Sequence, residues 1–154
     1  MTTMTTELTE VLNDLIKINN DRVTGYEKAA DESKDVDVDL QAIFHKMADE
    51  SRKYVAELSN RVSELGGETE SGQTGLGKLY QAWMDVKATF TGKDRHAILA
   101  SCEYGEDAAQ KAYRDALATD ADMDTATRQL ITTQQSALKT SHDLIKKYRD
   151  ANKN

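Results

Sequence analysis

The sequence predicts an all-α fold, a four-helix bundle with one long crossover, and three observations predict it. There is no proline in 154 residues. Helix interiors exclude proline, whereas turns and sheet edges use it. Apolar residues recur three and four apart in four long segments, which is the period of a helix face. The joints between those segments run short, long, short, so two antiparallel hairpins are linked by one traverse. The balance of 38% hydrophobic and 31% charged residues suits amphipathic helices in water rather than disorder. The whole chain reads as one domain, long enough to bury a core.

The first helix is expected over about 6–33, capped by Thr5 or Thr6. Its inward stripe is Leu8, Val11, Leu12, Leu15, Ile18, Asn19, Arg22, Tyr26, Ala29 and Ala30, interrupted by polar groups at Asn19 and Arg22. The charged run SKDVDVD is the first short joint, and Asp37 or Asp39 can cap the second helix, over about 40–65. That helix turns Leu40, Ile43, Phe44, Met47, Ser51, Tyr54, Val55, Leu58, Val62 and Leu65 inward, and Gly66-Gly67 closes it. Lys46/Glu50, Asp49/Lys53 and Glu57/Arg61 fall four apart on its outer side and read as solvated pairs.

The long joint begins with the glycine-rich run GGETESGQTGLG. A short crossover helix is expected over about 76–90, with Leu79, Tyr80, Trp83, Val86 and Phe90 on one face as packing. Exposure of that face would make it a dimer interface, so a homo-oligomer is one expectation. The third long helix runs over about 94–118, with Ile98, Cys102, Glu106, Ala109, Ala112, Tyr113 and Ala116 on one side. The fourth runs over about 124–150, with Ile131, Gln134, Leu138, Ser141, Ile145 and Tyr148 inward and Gln135 and His142 at the stripe's edge.

Several function classes fall away on composition. A formal net charge of −7 argues against nucleic acid and against an anionic membrane surface, both of which need a basic face. No stretch is apolar enough to span a bilayer, and the first residues, MTTMTTELTE, lack the basic and apolar regions of a signal peptide. The single cysteine, Cys102, lies on an inward stripe and reads as a small buried apolar group, which fits a reducing, cytoplasmic location. No nucleophile–base pair, phosphate loop or zinc spacing appears, so no catalytic residue is expected.

The candidate site is polar and inward-facing. Glu106 is an acid on a buried stripe, and such a group needs a partner. Arg22, on the inward stripe of the first helix, is the cation that can supply one. Helical phase also turns Asn19, Tyr26, Ser51, Tyr54, Tyr113 and Gln134 inward, with Gln135 at an edge. Two registers of the second helix stay open: one turns Ser51 and Tyr54 to the centre, the other turns Glu50 and Lys53. His45 and His96 map to outward faces, and His142 to the rim of the core.

The connectivity is the ferritin-like arrangement, whose di-iron members carry one glutamate on each of two helices and Glu-x-x-His on each of the other two. The sequence resembles that pattern in part. Glu106 and Tyr113 stand at a glutamate and at the tyrosine seven residues on; Tyr26 matches the second tyrosine, with Asn19 in the glutamate's place. Over nearly its whole length the chain resembles a family of bacterial ferritin-like four-helix-bundle proteins within the ferritin/rubrerythrin-like superfamily. The segments LNDLIKINNDRVTGYEKAA, the serine–arginine and Tyr-Val-Ala-Glu-Leu run ending in LGGE, LYQAWMDVKATFTG and ILASCEYGEDAAQKAYRDAL carry that resemblance. It implies a fold and no established activity, with a loose association with stress response. The ligand set is depleted, so the reading is a buried polar cluster of Asn19, Arg22, Tyr26, Ser51, Tyr54, Glu106, Tyr113, Gln134 and Gln135 in a non-enzymatic protein. The alternatives are an iron or manganese site on Glu50, Glu106 and His142 in an oxidative protein, and a small-molecule pocket among Tyr26, Tyr54 and Tyr113.

Overall fold

In the computed structural model, which describes residues 3–33, 38–69, 95–119 and 122–151, the chain forms four long helices. They are α1 (Thr3–Ser33), α2 (Val38–Glu64), α3 (Arg95–Leu117) and α4 (Thr125–Ala151). Each lies within three residues of the span its periodicity predicts. The expected crossover helix over 76–90, with Tyr80, Trp83 and Phe90, lies outside the described residues.

Side-chain pairings fix the topology. Arg22 of α1 meets Ser51 of α2, and Asn13 of α1 reaches the backbone of Glu68 just past α2, so α1 and α2 run antiparallel. Asn19 and Arg22 meet Tyr113 and Glu106 of α3, and His142 of α4 meets Asp107 of α3, so α1/α3 and α3/α4 are antiparallel too. Hence α2 and α3 point the same way, and the residues joining them connect opposite ends of a bundle about 40 Å long at 1.5 Å per residue. α1 packs most extensively on α2 and then on α3, whereas α2 and α4 make the sparsest of the contacts between neighbouring helices.

The inward stripes close into one core. Leu12, Leu15, Ile16, Leu40, Phe44, Leu58, Ile98, Leu99, Ile131 and Leu138 are all buried within 1% exposure. At about 25 cal/mol per Å2 of apolar surface, a side chain of this size contributes roughly 1.5–3 kcal/mol when fully buried. Val11, Ile43, Val55, Leu65 and Tyr148, expected on the stripes, pack at the core's edge.

Two helix ends, the last turn of α2 and the first of α4, are chemically capped. At the end of α2, Gly66 takes a left-handed φ of 82°, its amide donates to Ser63 O at 3.0 Å, and the Gly67 amide donates to Val62 O at 3.0 Å. This paired closure of the last turn needs a residue that tolerates positive φ. A Cβ on Gly67 would come within 2.5 Å of Thr9 Cγ2, so the turn also lies hard against α1. At the start of α4, Asp124 accepts from the Thr127 amide at 3.3 Å and from its hydroxyl at 2.6 Å. Arg61 then joins α2 to that cap, its Nη2 lying 2.5 Å from Asp124 Oδ2 and its Nε donating to Thr127 Oγ1 at 2.7 Å.

These contacts correct the solvated pairs expected on α2. Arg61 turns to Glu64 and across to Asp124 rather than to Glu57; Asp49 pairs with Arg52 at 2.6 Å; Glu50 and Glu57 both reach toward α4. Spacing of four makes a pair available on one helix, but a partner on the neighbouring helix that also caps a terminus wins the contact.

Candidate functional site

Arg22 is the hub. It is fully buried in the middle of α1, and its Nε and Nη2 donate to the two oxygens of Glu106 at 3.2 and 2.6 Å, a two-pronged pairing of guanidinium with carboxylate. Its Nη1 donates to Ser51 Oγ at 2.5 Å. Tyr26, one turn along α1, donates its hydroxyl proton to Glu106 Oε2 and lays its ring beneath the guanidinium, 5.1 Å from centroid to Cζ. Phe44 of α2 backs that ring at 5.9 Å between centroids.

From Arg22 a chain of hydrogen bonds crosses all four helices. Ser51 donates to Asn19 Oδ1 at 2.9 Å; Asn19 Nδ2 donates to the Tyr113 hydroxyl at 2.8 Å and to Leu15 O at 2.8 Å. Tyr113 donates to Gln134 Oε1 at 2.6 Å, and Gln134 Nε2 donates to Glu57 Oε1 at 3.0 Å. The direction of this chain is determined by its ends. Arg22 can only donate and the Glu57 carboxylate only accepts, so every hydroxyl and amide between them has one permitted orientation. Each donation polarises the next, and a chain with no conflicting member is stronger than its separate bonds.

The electrostatics keep these groups in fixed protonation states. For Arg22 burial opposes the charge, but the Glu106 carboxylate outweighs it and holds the guanidinium's pKa above its ordinary value. Burial pushes the Tyr26 hydroxyl well up, and the Glu106 charge adds to this. Burial likewise raises Tyr113, and raises Tyr54 together with the Glu50 charge. Cys102, one turn before Glu106 and fully buried, is raised by burial and by Glu106, which leaves it an inert thiol.

The structure brings Asn19, Arg22, Tyr26, Ser51, Glu106, Tyr113 and Gln134 together, with none more than 1% exposed. Tyr54 is buried nearby, one turn from Glu50, whose charge adds to the upward shift of its hydroxyl. Of the two α2 registers, the one with Ser51 and Tyr54 faces the centre, and Lys53 is exposed. Glu50 stands at the edge, 27% exposed, accepting from Ser141 Oγ at 2.9 Å and lying 3.6 Å from Arg22 Nη2. Gln135 is half-buried, and the contact recorded for it is its backbone carbonyl accepting from Gln110 at 3.4 Å, away from the cluster. Sequence reading missed Glu57, the acceptor that ends the chain. Its phase, one turn beyond Tyr54 toward α4, was the available signal.

His142 sits on the α3–α4 rim, with Nε2 2.6 Å from Asp107 and Nδ1 3.2 Å from Asp143. Among the described residues, no group of three or more histidine, cysteine, aspartate or glutamate side chains is gathered as for a metal ion. The donor set also does not fit a dinuclear centre of the ferritin type. Both oxygens of Glu106 are taken by a cation that the chain itself supplies, and a metal ion beside them would face the guanidinium at close range. His45 is exposed, 3.5 Å from Glu27. No described helix is long and apolar enough to cross a membrane.

Comparison with known proteins adds a family and a fold. The family profile described as Domain of unknown function (DUF2383) matches residues 7–119, a span that takes in most of α1 and all of α2 and α3. A solved structure of a Mycobacterium smegmatis Dps1 mutant superposes with a TM-score of 0.77 at 13% identity, covering 97% of this chain and 99% of that one. No curated protein matches the sequence significantly. The shared architecture is therefore the Dps/ferritin-like fold, with four helices and a long connection between α2 and α3.

Proposed function

The chain belongs to the DUF2383 family, and on that premise we propose that it is a non-enzymatic, self-associating ferritin-like bundle in which an internal ion pair takes the place of a metal centre. One observation carries this reading: Arg22, fully buried, occupies both oxygens of Glu106 at the level where ferritin-like di-iron proteins gather carboxylates. The pair, its tyrosine and the chain through Asn19 and Gln134 tie four helices together without a cofactor. Self-association draws support from Val38 and Tyr104, apolar side chains left 72% and 59% exposed. A stress-associated role draws support only from the sequence resemblance to bacterial ferritin-like proteins.

The test is metal analysis of protein purified without chelator, together with light scattering and an assay of ferrous oxidation by dioxygen. The expected result is iron and manganese well below one per chain, no oxidation above the buffer rate, and a mass that is a multiple of the chain's. Stoichiometric iron or manganese that disappears in Glu106→Ala would overturn the reading in favour of an oxidative protein with an altered site on Glu50, Glu106 and His142.

A further inference from the structure

We propose that the α2–α4 seam holds a binding cradle for a small carboxylate, and that the chain's own Glu50 occupies it. Two groups from two other helices converge on the Glu50 carboxyl group, with Tyr54 one turn along α2 beside it. Ser141 of α4 donates to Oε1 at 2.9 Å, and Arg22 of α1 presents Nη2 at 3.6 Å to the same oxygen, while burial and then the Glu50 charge raise the pKa of the nearby Tyr54. Arg22 and Tyr54 are buried, and Arg22 is held in place by Glu106 whether or not Glu50 is present. The cradle is therefore built by residues other than its occupant. A guanidinium with a hydroxyl donor is recognition chemistry for a carboxylate.

The occupant is also the group best able to leave. Glu50 is 27% exposed, and its seam joins the pair of neighbouring helices that approach each other least. Its separation from Arg22 is beyond direct hydrogen-bond length, so it is bound less firmly than Glu106. Rotation of Glu50 into solvent would leave Arg22, Ser141 and Tyr54 facing the seam, and an entering monocarboxylate would restore the charge balance that Glu50 supplied. Acetate has the same heavy atoms that Glu50→Ala removes.

The experiment uses the full chain and acetate as the probe, with chloride at equal ionic strength as the control. Glu50→Ala should melt lower than wild type in chloride and regain stability saturably in acetate. The wild type competes with its own side chain and should bind acetate at least about tenfold more weakly. Adding Ser141→Ala to Glu50→Ala should abolish the acetate effect. Equal acetate and chloride curves for Glu50→Ala, equal affinities in wild type and variant, or an effect indifferent to Ser141→Ala would each overturn the proposal. Should Glu50→Ala fail to fold, wild-type protein supplies the reading: acetate should shift the Tyr54 and Ser141 resonances saturably, and no shift would overturn it. The inference rests on Arg22 being fixed by Glu106. Bound stoichiometric metal would defeat that premise, whereas a folded, metal-free protein indifferent to acetate would defeat the cradle alone.

Discussion

Two arginine–carboxylate pairs in this bundle have similar closest distances and opposite surroundings. Arg22 meets Glu106 at 2.6 Å with both side chains fully buried; Arg61 meets Asp124 at 2.5 Å with 22% and 43% exposure. At contact distance the attraction in water is about 1 kcal/mol per pair and rises several-fold as the surroundings lose water. The desolvation cost rises with it, so a buried pair contributes little net stability while making each partner hard to remove alone. The buried pair thus ties α1 to α3 within the core, and the exposed pair tunes a helix end.

The largest consequence follows from removing one buried partner. Glu106→Ala leaves the guanidinium with Ser51 and a distant Glu50, and should cost about 3–5 kcal/mol in urea unfolding. Replacing both charges at once, Arg22→Met with Glu106→Leu, should recover most of that loss or exceed wild type. A double variant as unstable as the single one would show that the network contributes net stability, and the comparison would break there.

Next in size is a cut in the middle of the chain. Tyr113 accepts from Asn19 and donates to Gln134, so Tyr113→Phe leaves one donor and one acceptor unpaired in the core. The expected loss is about 1–3 kcal/mol. Tyr26→Phe should cost less, about 1 kcal/mol, because Glu106 keeps both bonds from Arg22. Equal losses in the two variants would mean that the chain's direction has no energetic consequence.

The fold and most of this network were legible in the sequence because both depend on helical phase. Asn19, Arg22 and Tyr26 share a stripe of α1, and Glu106 and Tyr113 share one of α3; three-and-four spacing places them inward without knowledge of neighbours. What phase cannot give is the choice between partners on different helices. Arg61 is four residues from Glu57 and yet caps α4 through Asp124, while Glu57 accepts from Gln134. Glu50 defeats the inward–outward dichotomy altogether, being at the flank while its long side chain approaches Arg22. Gln134 and Gln135 are adjacent, and only the neighbouring Tyr113 decides which amide enters the chain.

The exposed pair predicts a smaller effect with a pH signature. Thr127's hydroxyl bond, and then its amide bond and Arg61, hold the Asp124 carboxyl below its usual pKa despite some burial. A lowered folded-state pKa gives stability that is present above the ordinary carboxylate value and is lost as pH falls through the folded one. Asp124→Ala should cost about 1 kcal/mol at neutral pH, the usual worth of a helix cap, and the difference from wild type should close in acid. A gap that persists unchanged into acid would assign the loss to packing.

The smallest effect separates rim from core most sharply. Burial pulls the His142 pKa down, but the hydrogen bonds to Asp143 and Asp107 outweigh it and leave the imidazole above its ordinary 6.5. A raised folded-state pKa gives stability that is complete below the unfolded value and is lost as pH rises through the folded one. Both aspartates are largely exposed, so the step should be only a few tenths of a kcal/mol and should shrink in high salt. Thermal melts from about pH 6 to about pH 8 should show it in wild type and not in His142→Gln. Tyr26 and Tyr113, pushed up by burial, stay protonated across that range, and Arg22 stays charged, so none of them can supply the step. A step that survives in His142→Gln would therefore have to come from outside these three groups, and His142 would not be its source.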